Sequence, residues 1–254
     1  MTSKSSNAKG TLKKLKEWEF GETLLARESL FVFLNRAVQP KVGKLSITSY
    51  NEGVVVAMKG KECVAIAADR RLGVRGHTIA LDFERIFEMG PKLYCGLPVL
   101  ATDMKTVAQR LMFRINLYEL HEGRSVTPET LGSVISNLLY ERRFGPYFVQ
   151  PIVAGLDSVT NEPYICVMNL ISCIDEPTDF VISGNCEEQC YGMCETLWEP
   201  DMGPDELFEA TAQALMNAFN RDFFLGWGGV LHIIEKDNVT TKYLKTRMDR
   251  KEHW

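Results

Sequence analysis

The sequence predicts an α+β domain built as a four-layer αββα sandwich, with two stacked, largely antiparallel sheets flanked by helix pairs. Three observations lead there. Apolar residues switch between strand and helix periods in the order strands, helix pair, strands, helix pair, strands. Hairpin turns join strands that cannot then be parallel neighbours. Each helix pair has one apolar face to bury whereas the apolar strands have two, and stacked sheets covered outside by helices bury both kinds of surface.

The central element is Gly53 to Leu72, G-V-V-V-A-M-K-G-K-E-C-V-A-I-A-A-D-R-R-L. Two β-branched, apolar runs, Val54 to Met58 and Cys63 to Ala68, flank Lys59-Gly60-Lys61-Glu62, the composition of a tight hairpin between buried strands. The second run ends on Asp69, followed by Arg70 and Arg71. A carboxylate at the end of a buried strand is a candidate site residue. It is equally read as an Asp that caps a turn and pairs with a nearby Arg.

Upstream, residues 1–45 form an N-terminal extension that is polar over Met1 to Gly10, with a helix expected over Leu24 to Val38 and stopped by Gln39-Pro40. Downstream of the hairpin, His77 to Ile86 and Phe87 to Leu93 read as strands, with a turn at Met89-Gly90-Pro91-Lys92 and an apolar continuation from Tyr94 to Leu100. The period then becomes helical. Met104, Val107, Leu111, Ile115 and Tyr118 line a helix over Thr102 to Leu120, with Thr102 or Asp103 as N-cap and Gly123 at its end. A second helix starts at Thr127 with Pro128 in its first turn and carries Leu131, Val134, Ile135, Leu138 and Leu139. Strands return at Phe148 to Leu156, Tyr164 to Leu170 and Asp179 to Ser183, then helices at Glu187 to Trp198 and Pro204 to Asn220, the last facing inward through Phe208, Ala212, Leu215 and Phe219. Gly229 to Glu235 and Val239 to Leu244 form a closing hairpin. The domain therefore runs over 46–249, followed by a tail at 250–254.

Composition narrows the function classes. With 254 residues, 45% hydrophobic and 24% charged, the chain has the balance of an ordinary soluble protein. A net charge of −4 supplies no field for nucleic acid or an anionic membrane, so neither is expected as a partner. No apolar run reaches the length of a spanning helix, and the basic, Ser-containing Lys4 to Lys16 segment is soon followed by Glu17, Glu19, Glu22 and Glu28, which weighs against an import signal. Seven cysteines, an odd number, imply reduced thiols in the cytoplasm or nucleus. Cys186, Cys190 and Cys194 share one face of a helix and are read as small buried thiols in preference to a metal site. Met112, Phe113, Tyr118, Tyr140 and Trp198 are read as core or subunit contacts, and without a Gly-rich phosphate loop no cofactor is expected.

Long segments in order then carry a resemblance: the central hairpin, F-E-R-I-F-E-M-G, L-A-T-D-M-K-T-V-A-Q-R-L, Y-E-R-R-F-G-P-Y-F, P-I-V-A-G-L-D and N-R-D-F-F-L-G-W-G-G. From about Leu45 to Asp249 the chain resembles the proteasome β subunits. L-S-I-T-S-Y-N, V-A-M-K-G-K, R-F-G-P-Y, C-E-T-L-W-E-P and I-I-E-K-D narrow the resemblance to one branch of that family. The resemblance implies the fold of the N-terminal nucleophile hydrolases, whose active β subunits attack a peptide carbonyl with an N-terminal threonine freed from a propeptide.

Matching the family's positions one at a time places that threonine at Gly53, which has no nucleophile. The family lysine falls at Arg85, whose guanidinium stays charged and cannot take the lysine's part in proton transfer. Asp69 and Asp222 match the two aspartates and Ser183 matches one serine, while the second serine falls at Leu225. These six degenerate positions, Gly53, Asp69, Arg85, Ser183, Asp222 and Leu225, imply a noncatalytic subunit with no catalytic residue of its own. Thr48 would serve as nucleophile only if cleavage preceded it, and its spacing to Asp69 is then five residues too long. Asp69, Arg70, Arg71 and Arg85 are expected to form an ion-pair network in the vacated pocket, with a residual ligand site as the alternative.

As implied by the resemblance, the chain completes a hetero-heptameric β ring, facing the opposing β ring and an adjacent α ring, and helps wall a chamber where unfolded polypeptides are degraded after ubiquitin tagging. An active hydrolase would instead show a processed N-terminus carrying a nucleophile, and a free-standing interaction protein would run as a monomer or homo-oligomer. Two features depart from the family: the extension is longer than this branch carries and is expected to stay attached, and Phe223, Phe224 and Leu225 add bulk expected to fill the vacated site. Both leave room for a divergent, tissue-restricted paralogue.

Overall fold

A computed structural model of the chain describes residues 50–246 apart from 52, 75, 76, 159, 223 and 224. The expected helix over Leu24 to Val38, Thr48, the Phe223-Phe224 pair and the 250–254 tail lie outside the described residues. The central hairpin forms as β1, Val54–Lys59, and β2, Cys63–Asp69. Its turn closes with the Gly60 N–H on the Cys63 carbonyl at 2.9 Å and with Glu62 at a φ of 54°. Successive side chains on these strands point to opposite faces. Val54, Val56, Met58, Cys63, Ala65 and Ala67 enter one apolar cluster, and Val55, Ala57, Val64, Ile66 and Ala68 enter another. Burial on both faces explains why the hairpin reads as a near-continuous apolar run.

The remaining strands are β3 (Leu72–Val74), β4 (His77–Ala80), β5 (Ile86–Gly90), β6 (Leu93–Gly96), β7 (Ile152–Leu156), β8 (Pro163–Met168), β9 (Ile174–Asp175), β10 (Phe180–Gly184), β11 (Gly229–Glu235) and β12 (Val239–Leu244). One sheet has the order β10-β1-β2-β11-β12, the second β5-β6-β7-β8-β9, and β3-β4 forms a separate ribbon. Every pairing is antiparallel. The helices are α1 (Ala101–Glu122), α2 (Pro128–Tyr140), α3 (Glu187–Leu197) and α4 (Pro204–Arg221).

Three apolar layers separate the four structural ones. Between the sheets lie Val55, Ile66, Tyr94, Ile152, Ala154 and Val181. Leu93, Cys95 and Val153 turn outward from the second sheet to meet Met104, Leu111, Leu131 and Leu138 of α1 and α2. On the other side α3 and α4 deliver Cys190, Cys194, Leu207 and Leu215 onto the first sheet. The four-layer αββα sandwich expected from the sequence is therefore the observed architecture. No helix among the described residues is long and apolar enough to cross a membrane.

Several local expectations are corrected. The strand expected over His77 to Ile86 ends at Ala80, because 81–85 turns inward to bury Arg85. The turn before β6 is tighter than expected, with Gly90 still paired to Leu93. Helix α1 begins after Leu100 without a side-chain cap, since Asp103 is used elsewhere: its Oδ2 accepts the Phe148 N–H at 2.9 Å. Gly123 ends α1 at a φ of 65°, and Thr127 caps α2 by accepting the Thr130 N–H at 3.3 Å. Strand β7 starts only at Ile152; before it, Val149 makes a single bridge to Val99. The inner face of α4 is rotated from the expected stripe toward Leu207, Ala210, Thr211, Ala214 and Ala218. Small side chains there let the helix lie close to β2, and Phe208 is left at the margin, with Lys242 Nζ 3.8 Å from its ring centroid.

At Gly96 the two sheets pack so tightly that a Cβ would stand 2.5 Å from Val55 Cγ1. Gly96→Ala is expected to destabilise the purified chain by about 1–3 kcal/mol in chemical denaturation, and Val55→Ala in the same chain to recover most of that loss. Nearby, the His232 ring stacks on Tyr94 across the layers, centroids 5.2 Å apart, and its Nδ1 lies 2.9 Å from Thr241 Oγ1. Burial holds the imidazole below its usual value of 6.5. The folded state thus prefers the neutral ring, whose contribution is complete above the unfolded value and is lost as pH falls through the lower folded value. Thermal unfolding followed from about pH 7 to about pH 5 is expected to fall more steeply for the native chain than for His232→Gln.

Candidate functional site

Gly53, immediately before β1, is buried and held by its neighbours on both sides. Its carbonyl accepts the Asn185 N–H at 3.1 Å. The next N–H, that of Val54, donates to Asp69 Oδ1 at 3.0 Å, which ties the start of β1 to the end of β2. Gly184, at the end of β10 with a φ of 120°, sits against the Gly53 carbonyl so closely that a side chain there would overlap it. This corner of the first sheet is built for close backbone approach.

Asp69 is 0% exposed and Arg85 only 1%. Arg85 Nη1 lies 3.3 Å from Asp69 Oδ2 and also 3.3 Å from the Asp69 carbonyl, while Nη2 donates to the Arg71 carbonyl at 2.7 Å. Phe83 covers the guanidinium, with its centroid 5.1 Å from Cζ. Asp69 Oδ2 has the ion pair but no aligned hydrogen bond. Burial pushes the Asp69 carboxyl up from its ordinary range, opposed chiefly by Arg85 and then by the Val54 N–H. Burial likewise pushes Arg85 down, opposed by Asp69. A guanidinium with a carboxylate and two carbonyls as acceptors nevertheless keeps its proton, because its intrinsic basicity is so high.

The Arg85 side chain also fills the space a residue at position 53 would use. A Cβ built on Gly53 would stand 2.7 Å from Arg85 Cζ and 2.8 Å from Nη2, and closer still to Nε. Nothing in the sequence signals this contact, since the two residues lie on separate segments. Arg71 joins the same neighbourhood: it is buried, adds a positive charge near Asp69 and donates from Nε to Thr78 Oγ1 at 2.9 Å. Arg70, expected in the same network, turns away to stack on Tyr243, with Cζ 5.1 Å from the centroid.

Ser183, paired with Val55 across β10 and β1, is 1% exposed and donates its hydroxyl to the Gln150 carbonyl at 2.9 Å. Asp222 follows α4, and its Oδ2 accepts the Cys186 thiol at 2.7 Å. Leu225 is fully buried in the cluster between the first sheet and its helices, with Val54 and Phe219. The structure thus brings Gly53, Asp69 and Arg85 into one contact set, while Ser183, Asp222 and Leu225 are engaged with Gln150, Cys186 and the apolar core. Asn51 was not anticipated: its Nδ2 donates to the Gly73 carbonyl at 3.0 Å and its Oδ1 accepts the Ala101 N–H at 3.2 Å, fastening the approach to β1. An amide within the L-S-I-T-S-Y-N segment was the available signal.

Chemically, position 53 offers no hydroxyl. Cys186 offers a thiol, but burial first, and the hydrogen bond to Asp222 second, push it far above the range in which it would be a thiolate nucleophile. Cys190 and Cys194 are fully buried beside it in the same apolar cluster and raised by burial too, Cys190 to about 12.

Comparison with known proteins matches a family model described as proteasome subunit over residues 50–234. Among curated relatives, the proteasome subunit beta type-3 of Drosophila melanogaster is 56% identical over 205 residues, covering 81% of this chain and 100% of the relative. The beta type-3 subunit of Saccharomyces cerevisiae is 50% identical over 202 residues, 80% of this chain and 98% of its own. That of Caenorhabditis elegans is 49% identical over 205 residues, 81% and 100% respectively.

Removing one partner of the buried pair leaves the other charged without compensation. Asp69→Ala is therefore expected to destabilise the purified chain by roughly 3–5 kcal/mol in chemical denaturation, and the additional change Arg85→Met to recover part of it.

Proposed function

The chain belongs to the proteasome subunit family, and from that membership we propose that it is a noncatalytic β subunit of the core particle. It completes a hetero-heptameric β ring, contacts the opposing β ring and the adjacent α ring, shapes the chamber that receives unfolded polypeptides, and helps wall a neighbouring subunit's active site. Its setting is the cytoplasm and nucleus, in ubiquitin-dependent protein degradation.

The observation that carries the noncatalytic reading is the filled pocket. Where an active β subunit needs a threonine hydroxyl, Gly53 leaves a bare backbone, and the Arg85 guanidinium lies across it. Asp69, the supporting carboxylate, is committed to that guanidinium and to the Val54 N–H. Supporting groups assist a nucleophile and do not replace it.

Assembly is supported by apolar side chains that solvent would otherwise meet. Phe113, Leu117 and Leu120 on α1 are 69%, 55% and 84% exposed, and Phe144 beyond α2 is 82% exposed. Burying such residues against neighbours is the ordinary use of large obligate interfaces. In this reading residues 1–45 stay attached as an extension of the 46–249 domain, because no nucleophile stands at position 53 to release them.

The experiment is to tag the chain after Trp254, purify it gently from its source cells, and record particle size with the intact mass of the tagged chain. Co-elution with a large, peptidase-active complex and a mass that includes the extension are expected. A small species free of other β subunits overturns the assembly reading. Loss of a threonine-dependent peptidase activity on Thr48→Ala overturns the noncatalytic one.

A further inference from the structure

We propose that Gly53 and Arg85 act as one coupled lock, in which the Arg85 side chain occupies the volume that a side chain at position 53 needs, so that position 53 cannot regain an active-type residue while arginine stands at 85. The inference rests on the pocket being the vacated nucleophile site of a proteasome-type subunit, and it adds that the pocket is closed by an occupant as well as emptied of its nucleophile.

The steric argument starts from atoms. A Cβ on residue 53 would come within 2.7 Å of Arg85 Cζ and 2.8 Å of Nη2, with Nε nearer still, distances that a real carbon does not occupy. Such an overlap is cheap when the intruding group is the free end of a long side chain. Arg85 is not free: Nη1 is held by Asp69, Nη2 donates to the Arg71 carbonyl at 2.7 Å, and Phe83 covers the plane. Swinging the guanidinium away would strand a buried charge and leave those acceptors unpaired.

The strand cannot retreat either. The Gly53 carbonyl is held by the Asn185 N–H and the Val54 N–H by Asp69 Oδ1, while Gly184 abuts the carbonyl from the far side. Both partners in the overlap are therefore anchored, and the side-chain volume at position 53 belongs to Arg85. A lysine at 85 lacks the planar fork that holds Nη1 and Nη2 on separate acceptors, so its single ammonium can meet Asp69 from another rotamer and release the space. Arginine at 85 is thus a positioning residue that pins the end of β2 and the link to β3 against the 81–85 turn, and glycine at 53 is the vacancy that lets it do so.

The test is a double-mutant cycle in the tagged, full-length chain: native, Gly53→Ala, Arg85→Lys and the double variant, expressed in the source cells. The readout is the fraction of tagged chain found in the peptidase-active particle. Gly53→Ala is expected to lower that fraction about tenfold when Arg85 is present, and less than about twofold when residue 85 is lysine. Equal losses in both backgrounds, or none in either, overturn the coupling. Should Arg85→Lys itself fail to accumulate, Arg85→Gln supplies the background without a guanidinium, and the same difference decides. If the native chain does not enter the particle, the proposed function fails on its own; the coupling is then read from resistance of the soluble chain to proteolysis, where rescue of Gly53→Ala by the change at 85 upholds it and absence of rescue refutes it.

Discussion

A guanidinium shut off from water must find all its partners within the protein, and much of this pocket is arranged around how Arg85 finds them. Asp69 offers the carboxylate and its own carbonyl, Arg71 a second carbonyl, and Phe83 a face. Each of these comes from a segment that must lie in one place for the pair to hold: the end of β2, the link to β3, and the 81–85 turn that leaves β4 early. The desolvation cost of burying two charges is large, and such a pair is sustained only when its geometry and hydrogen bonds are good. Removing the charge from either side would therefore loosen the corner where β1, β2 and β10 meet.

That corner is positioned by the layered core. Strand β2 lies between β1 and β11, with apolar neighbours above and below, and its end is thereby fixed against movement in the plane of the sheet and across it. The two-sided burial that makes Cys63 to Ala68 so apolar also makes Asp69 unavoidable as a buried charge, since the strand delivers it while still inside the sandwich. A partner was required, and an arginine on a neighbouring turn provides it.

The same geometry separates loss of a nucleophile from loss of a site. A glycine alone would leave a cavity at the head of β1. Here the space is filled from the side by Arg85, and Leu225 adds apolar volume to the cluster beside Val54. What remains around position 53 is a rigid frame, held by the Asp69–Arg85 pair and the packed core beside it. The apolar stripe on the outer side of α1, opposite the residues that face the second sheet, is consistent with surfaces made to be covered.

Long periodic segments were legible from residues alone. The near-continuous apolar runs of β1 and β2, the stripes of α1 and α2, the Thr127-Pro128 start and the Gly123 stop each depend on local rules, so chain order and layer count followed from them. The six positions singled out through resemblance came from matching motifs in register; the structure brings Gly53, Asp69 and Arg85 together and engages Ser183, Asp222 and Leu225 elsewhere. Short elements were not legible: β3 and β9, at Leu72–Val74 and Ile174–Asp175, are too brief to show a period, and their existence is owed to the partner strands that pair with them. Nor did local pattern reveal that Asp103 would serve the Phe148 N–H instead of capping its own helix, or that Arg70 would stack on Tyr243 while Arg71 turned inward. Residue identity determined that position 53 carries no nucleophile. Only the tertiary structure decided that Arg85 occupies its place, because steric exclusion and the pairing of buried charge act between segments that the order of the chain keeps apart.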